Sequence, residues 1–235
     1  MVTTDVFARV SAIGPYFAVS HGPRPDASRY RPLSELYGDH EVLDRYVEAV
    51  ARRLGTGQRR VAASTLHIGT AARLWSIGLA TASLTGRVPD LAPGRLWWRT
   101  PESGPIDLWL PEATTTAAAP DGLADGLHEA VVVRNLLPLA DAVRRHYGVS
   151  PHALRGNAAS ALIGAVRVLL AHAPGAPHPP VPLATALLER EPLAGAGAFT
   201  AQPLTYRRRS CCLYYRVRGA GYCGDCVLTS KGPRA

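Results

Sequence analysis

Apolar residues recur at helical spacing over most of the chain. Between residues 36 and 54 they fall at Val42, Leu43, Tyr46, Val47, Val50 and Leu54, the three-and-four pattern of one amphipathic helix, and Gly55 supplies a stop. Residues 59–84 continue as a longer, Ala-rich helical pattern that Gly69 and Gly78 weaken, predicting one kinked helix or two. Pro138 suits the first turn of a helix ending at Gly148, and Ser150-Pro151 forms an N-cap and N1 pair for another running to about Ala173. A short helix is expected over 185–190.

Elsewhere the period changes. Residues 95–100 and 106–110 are short aromatic and branched runs around Pro101-Glu102-Ser103-Gly104-Pro105, which predicts a β-hairpin. Residues 128–137 are ambiguous, because Val131-Val132-Val133 favours strand and the flanks favour helix. Residues 213–218 alternate like a strand, and Gly219-Ala220-Gly221 then reverses the chain. The first thirty residues, with Gly14, Pro15, Gly22, Pro23 and Pro25, read as irregular or loosely attached, with order beginning near Ser34. The expected fold is mainly α with a small β-hairpin or small sheet. It divides into a helical body, 1–198, and a short C-terminal segment, 199–235.

A hydrophobic content of 47% over 235 residues supports a real core. The apolar stretches 61–84 and 158–173 are interrupted by His67 and Arg73, and by Arg167 and His172, so both read as buried helices rather than membrane spans. A net charge of +8 raises the question of nucleic acid. Lysine occurs once, at Lys231, so 26 − 1 = 25 cationic side chains are arginine. They are scattered, with no helix-turn-helix, zinc-finger or RNA-recognition signature, so nucleic acid is not an expected partner. The exception is Arg207-Arg208-Arg209, followed by Arg216 and Arg218.

These arginines flank the chemistry. All four cysteines lie in one stretch, Cys211-Cys212, ten residues, then Cys223-Gly224-Asp225-Cys226, which leaves an iron-sulfur cluster, a four-thiolate zinc site or two disulfides. The first ten residues carry no basic region followed by an apolar one, which predicts a reducing cytosol and disfavours disulfides. Structural zinc usually takes two bites with spacers of two to four residues, whereas Cys211 and Cys212 have none. Consecutive side chains of extended backbone point apart, so this pair serves one centre only if the chain turns there. A 2Fe-2S cluster offers two irons and eases the demand for convergence.

The spacing Cys-Cys-x10-Cys-x2-Cys resembles that of the FhuF-like ferric-siderophore reductases, which carry a 2Fe-2S cluster in this place. The resemblance implies that Cys211, Cys212, Cys223 and Cys226 are the ligands. The segment from Ser150 through Asn157 to Leu162 is similar to the long helix that precedes the cluster in such proteins. The implied function is delivery of one electron to a ferric siderophore, of hydroxamate type, with release of Fe(II) in the cytoplasm, near or at the inner face of the membrane. The electron donor would be separate, a ferredoxin or a flavoprotein reductase, since no nicotinamide or phosphate loop is present and Gly195-Ala196-Gly197 lacks the rest of a dinucleotide fingerprint. The competing readings are a 2Fe-2S carrier or redox sensor without a siderophore substrate, and a zinc protein.

Around the cysteines, Tyr214, Tyr215 and Tyr222 are candidates to shield a cluster or touch a chelate. Arg216 and Arg218 are candidates to raise its potential, or to dock an acidic partner or membrane headgroups. Trp75, Trp97, Trp98 and Trp109 read as core, and His67 as a hydrogen-bonded core residue.

Overall fold

The computed structural model describes residues 3–230; Met1, Val2 and Lys231 lie outside them. The chain opens with α1 (Thr3–Ser11), which buries Val6, Phe7 and Val10 on one face. Strands β1 (Ser20–His21) and β2 (Arg31–Pro32) follow. Order therefore begins well before Ser34. The single helix expected over 36–54 is two, α2 (Leu33–Gly38) and α3 (His40–Leu54). Asp39, with φ −112° and ψ 112°, breaks the first, and its carboxylate accepts from the N–H groups of Glu41 and Val42 to cap the second. Gly55, left-handed at φ 60°, ends α3 as expected.

Helix α4 (Arg59–Thr85) is one uninterrupted element. The next strands are β3 (Arg87–Pro89), β4 (Trp97–Arg99), β5 (Asp107–Leu110) and β6 (Thr115–Ala117). After α5 (Leu123–Leu127), residues His128–Leu136 form a π-helix. The three valines are thus helical, and Asn135 explains how the wide turn is held. Its amide donates to the carbonyls of Ala130 and Leu91, while Tyr37 donates its hydroxyl to the Asn135 oxygen at 2.8 Å. Helices α6 (Leu137–Tyr147) and α7 (Pro151–His172) begin and end as their caps predict, with Ser150 Oγ accepting from Ala153 N–H. Helix α8 (Pro180–Leu188) starts five residues earlier than expected, with Pro180 at its first position. A hairpin, β7 (Gly197–Thr200) and β8 (Thr205–Arg208), leads into the cysteines.

The fold is mainly α with small sheets. The expected hairpin is real, with β4 and β5 antiparallel and Trp97 opposite Trp109. It sits in a four-stranded sheet of order β1-β5-β4-β2, in which only the β1–β5 pairing is parallel. Strands β3 and β6 form a separate pair, so the stretch 111–122 is more than a connection. The core is built around α4, buried along most of its length and packed on α3 and α7. Ala158, Ala159, Ala161 and Ala165 let α7 lie close. Helix α7 is long and apolar enough to cross a membrane, but 72% of the apolar window is buried in the fold, which makes it a core helix. Trp75, Trp98 and Trp109 are buried, as expected.

Arg73 explains why the N-terminal region is firmly attached. Its guanidinium, 2% exposed, donates to the carbonyls of Pro15, Tyr16, Ala18 and Ile106. Four carbonyls from two loops thus converge on one α4 side chain. Burial pulls its pKa down to about 10, still leaving it charged at neutral pH. Replacing it by methionine would keep the packing and strand the carbonyls. We expect Arg73→Met to lower stability by about 3 kcal/mol or more, read from the urea midpoint with the slope unchanged.

Candidate metal centre

Exposure alternates along β8, so that Tyr206 and Arg208 face inward and Thr205 and Arg207 face water. Past Ser210 the chain turns sharply at Cys211-Cys212-Leu213. Leu213 has φ 71°, a left-handed conformation that a branched side chain adopts only when its surroundings enforce it. Residues Tyr214–Arg216 then form a 3-10 turn. The strand expected over 213–218 does not form, because the left-handed residue and the turn after it end the extended backbone. The reversal at Gly219 and Gly221 is present, with φ 78° and 69°. The second cysteine pair closes its own turn, Cys226 N–H donating to Cys223 C=O at 3.1 Å.

Polar side chains of α4 and α7 hold this segment. Ser64 on α4 donates to the carbonyl of Cys212 at 2.8 Å. Asn157 on α7 donates to Ser64 O and Oγ and accepts from Arg208 Nη2 at 2.6 Å. Arg208 also donates to the carbonyls of Ser210 and Ala153, and Ser210 Oγ to that of His152. On the other side Asp225, 6% exposed, accepts from Ser160 Oγ at 2.5 Å and pairs with Arg167, whose Nη2 is 2.9 Å from Oδ1. The Asp225 carbonyl accepts from Arg208 N–H, joining the two halves of the segment. Contact at Gly156 is tight: a Cβ there would lie 2.3 Å from Ser210 Oγ and 3.0 Å from Arg208 Nη2.

The four thiols are free, with Cys212 and Cys226 buried and Cys211 and Cys223 half-buried. The Sγ atoms of Cys212 and Cys223 are 3.5 Å apart. Two amides point at the others, Leu213 N–H to Cys211 Sγ and Leu228 N–H to Cys226 Sγ, each at 3.3 Å. Among the described residues, no three His, Cys, Asp or Glu side chains close on a single ion position. The Cys212 thiol is drawn down to about 6, first by its hydrogen bond with Cys223, helped by the Tyr214 amide and the charge of Arg208, against the effect of burial. Cys223 is pushed up by the same shared bond, then by burial. Burial also raises Cys211.

The residues fit an anionic sulfur-rich group. The Arg208 guanidinium is 1% exposed and, among the described residues, has no carboxylate partner and leaves Nη1 without a hydrogen-bond acceptor. A buried cation is costly unless a negative charge sits nearby, and its field adds to the lowering of Cys212 and works against the rise of Cys211 and Cys223. The amides aimed at sulfur are the donors that such clusters use. The 3.5 Å sulfur pair is close to the roughly 3.8 Å edge of a tetrahedron with metal–sulfur bonds of about 2.3 Å.

The other predicted residues divide. Tyr214 is half-buried, while Tyr215 and Tyr222 are 41% and 60% exposed, with ring centroids 6.5 Å apart. Arg216 is exposed and donates to Tyr215 OH, and Arg218 is exposed. The buried cation beside the thiols is Arg208 instead. Its signal in the sequence was an arginine on the same face as Tyr206 in an alternating strand. Ser64 and Asp225 carried no signal of their own. His67 is buried, as expected, but neither ring nitrogen has a hydrogen-bond partner, which corrects the expectation that it is satisfied.

Residues 208–228 match the family model of the FhuF 2Fe-2S C-terminal domain. That domain binds a 2Fe-2S cluster, so the segment that begins at Arg208 and contains all four cysteines is of iron-sulfur, siderophore-related type. No curated protein matches the chain.

The close approach at Gly156 makes a clean test of how the segment is held. Gly156→Val should leave the far-UV circular dichroism of the helical body intact while iron bound per chain falls at least severalfold, because the added methyls occupy the space of Ser210 and Arg208.

Proposed function

We propose that the chain is a ferric-siderophore reductase, in which residues 1–198 form the body and 199–235 the cluster-binding segment. The observation that carries this reading is the match of residues 208–228 to the FhuF cluster domain, supported by a buried, uncompensated Arg208 beside four free thiols. Cys211, Cys212, Cys223 and Cys226 would hold the cluster, and the Sγ atoms of Cys212 and Cys223 already approach to 3.5 Å.

When bound, the cluster supplies one electron at low potential, which a hard-donor Fe(III) chelate requires because its oxygens hold Fe(III) far more tightly than Fe(II). The protein's residues do the rest by position and charge. Arg208 favours the more negative, reduced state, and the Leu213 and Leu228 amides act in the same direction. Tyr215, Tyr222, Arg216 and Arg218 line the exposed side of the segment, where a chelate of hydroxamate type can approach. The electron comes from a separate one-electron donor, a ferredoxin or flavoprotein reductase, in the cytoplasm.

Anaerobically purified protein should hold about two irons and two acid-labile sulfides per chain. Serine at any of the four cysteines should lower both. Mixed with ferric hydroxamates, the dithionite-reduced protein should be bleached back to its oxidised spectrum in step with Fe(II) appearing in a ferrous trap. If no chelate reoxidises it while the cluster remains intact, it is a carrier or sensor; stoichiometric zinc in place of iron would point to a structural site.

Charge placement gives a separate expectation. Arg208→Gln should lower the midpoint potential by on the order of 100 mV, the Coulomb energy of one charge about 6 Å away at an effective dielectric of about 20. Arg216→Gln and Arg218→Gln, both in water, should shift it far less. Protein-film voltammetry measures all three.

A further inference from the structure

A cavity of about 330 Å3 opens between the π-helix, α6, the first turns of α7 and α4. No cysteine lines it, although His152 of its lining accepts from Ser210 beside Cys211. Its walls are apolar, with Val132, Leu136, Leu154 and Ala158 all nearly inaccessible. His67 lines its buried end, 1% exposed, and among the described residues neither Nδ1 nor Nε2 has a partner. Burial, helped by the charge of Arg208, drops the pKa of His67 to about 3, so the ring is neutral and offers one donor and one acceptor. An imidazole buried with both nitrogens unsatisfied costs stability that an apolar residue of the same shape would not.

The mouth is different. Arg144 and Arg155 stand there with Asp141. Asp141 is already shared between Arg144 and Arg145, whereas among the described residues the Arg155 guanidinium meets only the His152 ring. One end of the cavity is therefore apolar and floored by a neutral hydrogen-bonding ring, and the other is cationic.

We infer that this cavity is a binding site for a small apolar carboxylic acid, whose neutral hydroxyl or carbonyl meets His67 at the buried end and whose carboxylate meets Arg155 at the mouth. The reverse orientation would bury an unpaired carboxylate among apolar walls. The volume sits at the lower end of the roughly 300–1,000 Å3 of ligand pockets, which suits one fused ring system or a medium chain rather than a whole ferric chelate. The site is thus distinct from the reductase function and stands without it. Ring and chain share the required chemistry, and the experiment separates them.

The test uses the intact, cluster-loaded chain and two probes, 6-hydroxy-2-naphthoic acid and 10-hydroxydecanoic acid, by isothermal calorimetry. At least one should bind at one site per chain, and 2-naphthoic or decanoic acid, lacking the hydroxyl, should bind about tenfold more weakly. In His67→Phe that discrimination should vanish, an outcome that loss of packing alone would not produce. Arg155→Ala, at the surface, should weaken the acids and leave 2-naphthol unchanged, and Ala140→Trp should plug the cavity. Binding of neither probe, equal binding of the hydroxy and deoxy acids by the unmutated chain, or binding that survives Ala140→Trp overturns the assignment. None of these readouts depends on iron reduction, so this inference and the reductase reading fail separately.

Discussion

A guanidinium with nowhere to put its charge organises the C-terminal third of the molecule. Arg208 is sealed beneath the cysteine segment, tied to Asn157 and to the carbonyls of Ala153 and Ser210, with no carboxylate of the described residues against it. Neutral hydrogen bonds orient a buried cation but do not cancel it. Four thiolates holding iron would, so the group that stabilises the segment and the group that stabilises the centre are one side chain. The segment's geometry and its electrostatics are therefore coupled: what moves Arg208 moves both.

This arrangement needs a platform with small residues and a few polar ones in the same place. Helices α4 and α7 provide it. Their alanines allow close packing, and Ser64 and Asn157, buried where two helices meet, are satisfied by each other and by the docked segment. Without that segment these groups would lie at an apolar interface with fewer partners, a cost that favours the docked state. Arg73 plays a comparable part in the middle of α4, gathering loop carbonyls rather than a cluster ligand's. One helix thus carries buried polar contacts to both the N-terminal region and the cysteines.

The long helices were legible because local signals agreed with tertiary demand, as at Ser150-Pro151 and at Gly55. The break at Asp39 was missed because the apolar period continues across it, and only the capping carboxylate marks the boundary. The order of the loop after α1 was missed because its attachment depends on Arg73, some sixty residues away, and on carbonyls that carry no side-chain signal. The four cysteines were plain from spacing. Their surroundings were not, because Ser64, Asn157 and Asp225 acquire a role only through contacts more than sixty residues long in sequence. Tyr215 and Arg216 were singled out for nearness in sequence to the thiols, yet nearness in sequence says little about depth, and both face water.

The order of the elements along the chain has a consequence for assembly. In the order of synthesis, α4 and α7, which carry the described helix side chains that grip the segment, precede the first cysteine at position 211. The thiols, made later, dock on side chains that those helices present. Leu213, in its left-handed conformation, turns them onto that cradle rather than outward. Insertion of iron and sulfide can then be the closing step of maturation, performed on sulfur atoms whose positions the helices have set in advance.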